Sequence, residues 1–491
     1  MSRRDILQQA KRWSKESFST LAKTALVRLP RAVPLQALKI TNPFGPMPFK
    51  LQLPSRQQGR TVQVFIFLPP VEFPDPESGD ASPKPNTFPM IMDYHGGGFY
   101  LGSCLEQAPF CSKLCLELGA IVIGVDYRMA PFDKFPAAIE DAEDVVKCVI
   151  DPSFPGYEPL RESIASFFRA QWYQKLGTRE SRDADKVPLP PTPKIELDIQ
   201  RIGFSGASSG GNIALNMAID APAGYGLPEW PSPIPPEYPS PIPLLLLYPS
   251  LDLRQLPSER FRHERMPAVK PGKEKGWNID DQLAATYVSR EQAAHPRASP
   301  GLVDTSKYLH KKAKSLLILS GLDTLWEQSE IWTKKVEAEG RRKDMKTLRY
   351  EDRKHGWTQI PEIALSKEER KTRLEVLDEC VRFARLTWEG RDPIGVLDEE
   401  LGHHANVAAQ GHPEAKVHDS VFHKDVNEAE EGEEGLENAE AKEDDTEQNH
   451  DVKQRFKASE EDEVLERRES KEPVQEAGDD KAGPVANKGT G

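Results

Sequence analysis

Through the middle of the chain, short apolar blocks rich in branched residues alternate with longer stretches whose apolar positions recur at helical spacing. The blocks run Thr61 to Leu68, Phe88 to Tyr94, Ala120 to Asp126, Ile199 to Ser205, Leu244 to Tyr248, Leu316 to Ser320 and Thr347 to Tyr350. Each has the length of a strand and is apolar almost throughout, the pattern of a strand buried on both faces. Strands of this kind separated by helices predict an α/β fold, a mainly parallel sheet with helices on both sides. Such sheets hold their ligands at the carboxyl ends of the strands. The residues that follow each block are therefore where chemistry is to be sought.

Two stretches interrupt the alternation. Residues 153–194, which include GTRESRDADKVPLPPTP, and residues 222–243, which include PEWPSPIPPEYPSPIP, are rich in charge or proline and read as surface insertions. A proline-stiffened loop or an extended segment for a partner both fit the second.

The two ends differ from the middle. Residues 1–31 carry eight Lys or Arg against Asp5 and Glu16, with Ile6, Ala10, Trp13, Leu21 and Ala25 near one helical face. This predicts a basic amphipathic helix, either packed over the mouth of the body or lying on an anionic membrane surface as a peripheral contact. At the other end, Val421 to Gly491 holds 23 Asp or Glu against 10 Lys or Arg, which accounts for the whole net charge of −13. With so few large apolar groups, this segment cannot offset its ordering entropy, and a disordered acidic tail is expected. The organisation predicted is a basic amphipathic helix within residues 1–50, an α/β body over 51–390 and a tail over 391–491. No apolar run approaches the roughly 20 residues that span a bilayer, and the N-terminus lacks the apolar core of a secretory signal. A cytoplasmic location is expected, with membrane contact only at the periphery. The acidic balance argues against nucleic acid as a partner. The five cysteines show no metal spacing and read as buried, reduced thiols.

After the block ending at Ser205 comes Gly206-Ala207-Ser208-Ser209-Gly210-Gly211-Asn212, followed by a helical run. Strand, Gly-X-Ser-X-Gly and helix together make the sharp turn that lifts a serine hydroxyl above a sheet, with Gly206 and Gly210 where side chains would crowd strand against helix. Ser208, as nucleophile, needs a base, and the base needs an orienting acid. His355 follows the last block and Asp323 the one before it, giving the chain order serine, acid, histidine. Glu327 and Asp352 compete with Asp323 for the acid. Directly after Tyr94 stands HGGGFYLGS, beginning His95-Gly96-Gly97-Gly98. Three consecutive glycines allow bare amides to approach an oxyanion, and Gly97 and Gly98 are the expected donors beside the amide of Ser209.

These segments, with DYRMAPFDKFPAAIED, YPSLDL, SGLDTL and KHGW, resemble the hormone-sensitive-lipase-like carboxylesterases of the α/β-hydrolase fold over about Gln52 to Leu386. The resemblance implies a Ser208, His355, Asp323 triad, a His-Gly-Gly-Gly oxyanion loop and an N-terminal helical cap. Two positions depart from the family pattern: Ala207 replaces the usual aspartate before the serine, and Trp357 stands where phenylalanine is common. The expected activity is hydrolysis of small to medium acyl esters through an acyl-enzyme, chemistry for which neither metal nor cofactor is expected. Amide, lactone or acylglycerol hydrolysis by the same residues is an alternative, as are a ligand-binding protein of this fold without catalysis and a scaffold for basic partners. The sequence leaves the oligomeric state open.

Overall fold

The apolar blocks become strands of one eight-stranded sheet: β1 Phe49–Pro54, β2 Thr61–Phe67, β3 Asn86–Tyr94, β4 Ile121–Asp126, β5 Ile195–Ala207, β6 Ile242–Leu247, β7 Ala313–Leu322 and β8 Met345–Lys354. This computed structural model describes residues 35–43, 45–71, 86–177, 194–266 and 279–395, together with Thr20 and Thr24. The strand order is β1-β2-β4-β3-β5-β6-β7-β8. β1, β2 and β4 pair antiparallel, and every pairing from β4 through β3 to β8 is parallel. The sheet is thus mainly parallel, as expected, with an antiparallel corner at one edge.

The near-continuous apolar runs feed two separate cores. Met90, Met92, Ile121, Ile123, Leu244, Leu246, Leu317 and Leu319 point into one. The intervening Ile91, Val122, Leu245, Leu247, Leu316 and Ile318 point into the other. Successive strand side chains face opposite sides, so only a sheet covered on both faces can bury both sets. Helices α1 Ala108–Leu118, α2 Ala137–Ile150, α3 Tyr157–Gly177, α4 Ser209–Asn216, α5 Ile279–Tyr287, α6 Trp326–Ala338 and α7 Lys367–Trp388 supply the cover. α1 and α7 close the second core, while α2, α3 and α6 contribute to the first. Local signals bound the helices: Gly119 ends α1 in the left-handed conformation at φ 59°, and Ser366 with Glu369 forms a capping box at the start of α7.

Neither interruption is a bare surface loop. Residues 157–177 form α3, whose Leu160, Ile164, Phe168 and Trp172 recur every fourth residue and are all buried. Phe168 stacks on Phe88 at 5.4 Å and Phe167 on Phe49 at 4.7 Å, which ties α3 to the sheet. The proline-rich stretch buries Ile234 and Tyr238, and the Arg297 guanidinium donates to the carbonyls of Trp230 at 2.9 Å and Pro231 at 2.6 Å. The basic helix expected in residues 1–31 and the acidic tail expected from 391 fall almost wholly outside the described residues. Among the described residues no helix is long and apolar enough to cross a membrane. All five cysteines are free and buried.

Candidate active site

The carboxyl ends of four parallel strands meet at one place. β5 runs into Ser208, which adopts φ 56°, ψ −118°, a conformation rarely open to a residue with a side chain. The turn is held by its backbone: the Ser208 amide donates to the Leu247 carbonyl at 2.9 Å, and the Ser208 carbonyl accepts from Ser250 at 3.0 Å and Asn212 at 3.2 Å. Close approach explains the flanking glycines. A Cβ on Gly210 would stand 1.8 Å from the Tyr94 carbonyl oxygen, and one on Gly206 would stand 2.2 Å from that of Gly210. Ala207, where the family pattern has aspartate, is buried in the apolar second core.

β7 ends directly before Asp323 and β8 directly before His355. His355 Nε2 lies 3.0 Å from Ser208 Oγ, and His355 Nδ1 lies 2.6 Å from Asp323 Oδ2. The other carboxylate oxygen of Asp323 accepts from the Leu325 amide at 2.9 Å, so both oxygens have donors and the carboxylate cannot swing freely. The competing acids lie elsewhere. Asp352 is exposed and pairs with Arg265 at 2.6 Å, and Glu327 is exposed on the first turn of α6.

β3 ends directly before His95. The His95 ring is fully buried and stacks on Tyr127 at 4.3 Å, and the Tyr127 hydroxyl donates to the His95 carbonyl at 2.7 Å. This fixes the base of the glycine loop. Gly96 approaches the elbow so closely that a Cβ would meet the Ala207 carbonyl oxygen at 3.2 Å. Gly97 has φ 120°, and a Cβ there would stand 2.0 Å from the Leu101 carbonyl oxygen, so only glycine fits. The Gly97 carbonyl accepts from Tyr100 at 3.1 Å and Leu101 at 2.9 Å, which closes a tight turn within the loop. Among the described residues, the amides of Gly97, Gly98 and Ser209 donate to no backbone acceptor outside helix ladders.

Several supporting residues were not singled out from the sequence. The Tyr248 ring meets the His355 ring edge-on at 5.1 Å, and its hydroxyl bonds Thr358 in the histidine's own loop. Asn212 donates to the carbonyls of Ser250 at 2.8 Å and Ala298 at 2.9 Å. Beneath the glycine loop, Gln107 donates to Asp93 at 2.5 Å and accepts from Gln359 at 2.7 Å, joining the end of β3 to the loop after His355. Asp93 was the visible clue, a carboxylate inside an otherwise apolar strand.

Asp93 is fully buried, and burial pushes its pKa up to about 6 despite hydrogen bonds from Ser205, Gln107 and Cys111 that favour the charged form. The folded chain therefore binds this proton more tightly than the unfolded chain does. Its contribution to stability is present below the ordinary carboxylate range and is lost as pH rises toward 6. Relative to Asp93→Asn, the stability of the native protein will fall by about 2 kcal/mol between pH 4.5 and 7.5. Urea unfolding of both proteins at the two pH values measures this, and parallel profiles would refute it.

A cavity of about 460 Å³ opens above Ser208, His355 and Asp323. Its walls are largely apolar, with Leu101, Leu253, Leu256, Met266, Ala284 and Val288 among them, and the glycine loop forms one side.

The model of the alpha/beta hydrolase fold matches residues 91–359, more than half of the chain, and the chain belongs to that family. Within it, the resemblance to the hormone-sensitive-lipase-like carboxylesterases holds. A curated relative, 3-O-acetylpapaveroxine carboxylesterase CXE2 of Papaver somniferum, is 30% identical over 164 residues, which are 33% of this chain and 41% of that protein. Probable carboxylesterase 8 of Arabidopsis thaliana is 31% identical over 140 residues, 28% of this chain and 34% of that protein. The chain thus matches less than half the length of these relatives. A solved esterase from Pyrobaculum calidifontis is similar with a TM-score of 0.44 at 24% identity, over 71% of this chain and 89% of the other.

Proposed function

We propose that the protein is a serine carboxylester hydrolase acting on small to medium acyl esters. The observation that carries this reading is the unbroken line from Ser208 Oγ through His355 to Asp323, with contacts of 3.0 and 2.6 Å, at the floor of an apolar cavity. With Nδ1–H donating to Asp323, the His355 Nε2 lone pair faces the serine hydroxyl and accepts its proton as Oγ attacks the ester carbonyl. The amides of Gly97, Gly98 and Ser209 receive the oxyanion. Each such donor is worth roughly 10²- to 10³-fold in rate. Collapse of the tetrahedral intermediate expels the alcohol, which takes the proton from His355. Water activated by the same imidazole then releases the acid and restores Ser208. Asp323 orients the ring and stabilises the imidazolium. The names of the curated relatives, carboxylesterases in both cases, support the same reaction class.

The cavity sets the substrate size. On p-nitrophenyl esters of increasing acyl length, kcat/KM will rise from acetate to a medium chain and fall once the chain exceeds the cavity. Absence of turnover on the whole series would overturn the reading.

A further inference from the structure

Arg260 lines the same cavity as Ser208 and His355. Among the described residues its guanidinium makes no ion pair, and its Nε is enclosed without an acceptor. Burial pulls its pKa down. The carboxylates that act on it through space are Asp323, Asp281 and Asp252. All three have nearer donors. Asp323 binds His355 and the Leu325 amide, Asp281 accepts from the Ser258 amide at 2.9 Å, and Asp252 holds Arg254 at 2.6 Å. Asp280, also in the wall, accepts from the Tyr100 hydroxyl at 3.3 Å. The other arginine of the lining, Arg290, is paired with Glu259 at 2.5 Å.

A guanidinium carries five N–H donors in a planar fork that matches a carboxylate, and enclosing those donors without acceptors is costly. Structural arginines of this chain show the contrast. Arg297, more fully buried than Arg260, also leaves its Nε without an acceptor, but it places the rest of its guanidinium on three carbonyl oxygens and lies 3.4 Å from Glu143. Arg260 has no such set, and the space in front of it is the substrate cavity.

We propose that Arg260 is a specificity-determining residue that receives a carboxylate on the substrate, so that the preferred substrates are esters carrying a free carboxylate a few bonds from the scissile carbonyl. This rests on the hydrolase reading and narrows its substrate class. The carboxylate can belong to the acyl part, as in a half-ester of a dicarboxylic acid, or to the alcohol part, as in an acylated hydroxy acid. The nearby aspartates cancel much of the long-range attraction, so the preference arises on contact, through bidentate charge-assisted hydrogen bonds.

Two matched pairs test it on the full chain. Monomethyl adipate against dimethyl adipate places the charge on the acyl side, and 4-acetoxybenzoate against methyl 4-acetoxybenzoate places it on the alcohol side. The quantity read is the ratio of kcat/KM for the charged ester to that for its neutral partner. In at least one pair the ratio will favour the charged ester in the native protein and drop by about 10- to 100-fold in Arg260→Met, chiefly through KM. Arg260→Lys will recover part of it, because it keeps the charge and loses the fork. A ratio unchanged by Arg260→Met in both pairs would overturn the proposal. If no ester is turned over and a fluorophosphonate fails to label Ser208, the hydrolase reading falls instead. The anion contact is then judged by calorimetry with adipate and 4-hydroxybenzoate. Binding of either that is lost in Arg260→Met upholds the contact, and no binding, or binding equal in both proteins, overturns it.

Discussion

Ser208→Ala will lower kcat/KM on an activated ester by roughly 10⁶-fold, the scale seen when a triad serine is removed, while Ser205→Ala and Ser209→Ala will keep a measurable part. Three serines stand within five residues, and their surroundings give them different work. Ser208 alone occupies the strained apex, with its hydroxyl 3.0 Å from His355 Nε2. Ser205 points down into the sheet and donates to Asp93 at 2.5 Å, so its loss acts through a buried carboxylate. The Ser209 hydroxyl is enclosed 3.5 Å from that of Tyr127, and the part assigned to this residue is its backbone amide, which alanine keeps. Steady-state kinetics on the three variants, with melting temperatures to establish folding, decide it. A Ser209→Ala loss equal to that of Ser208→Ala in a folded protein would refute the assignment.

The second large effect concerns the acid. Asp323→Asn will cost roughly 10⁴-fold, because an amide beside Nδ1 no longer holds the tautomer that leaves Nε2 free to accept a proton. Glu327→Gln and Asp352→Asn will stay within about tenfold. Asp323 is buried with both oxygens engaged, one by His355. Asp352 is 80% exposed, where screening leaves its pairing with Arg265 little energetic weight. Near-normal turnover of Asp323→Asn beside a collapse in either rival would transfer the role.

Much of the architecture is legible because burial on both faces leaves an unmistakable trace. Seven of the strands coincide with apolar blocks, since each block supplies two cores at once. β1 escapes this reading. Its segment, FKLQLP, alternates instead of running apolar, because it is an edge strand paired only with β2. α3 escapes for another reason. Its Leu160, Ile164, Phe168 and Trp172 repeat regularly, but they adjoin a charged, proline-rich run whose composition dominates the window. At the candidate site, chain order and strand ends point to Ser208, Asp323 and His355, because a parallel sheet brings successive carboxyl ends to one edge. Residues that reach the site from remote loops leave no such trace. Gln107 and Gln359 are 252 positions apart, and Arg260 sits in a charged loop with nothing in its local pattern to mark it.

The central claim is that Ser208 is an activated nucleophile, and the most direct measurement of it is mass-spectrometric mapping of a fluorophosphonate adduct on the intact protein. One adduct per chain is expected, on Ser208, forming in step with the loss of ester hydrolysis and strongly slowed in Asp323→Asn. An adduct confined to another residue, or full labelling of Ser208 with hydrolysis retained, would contradict that claim.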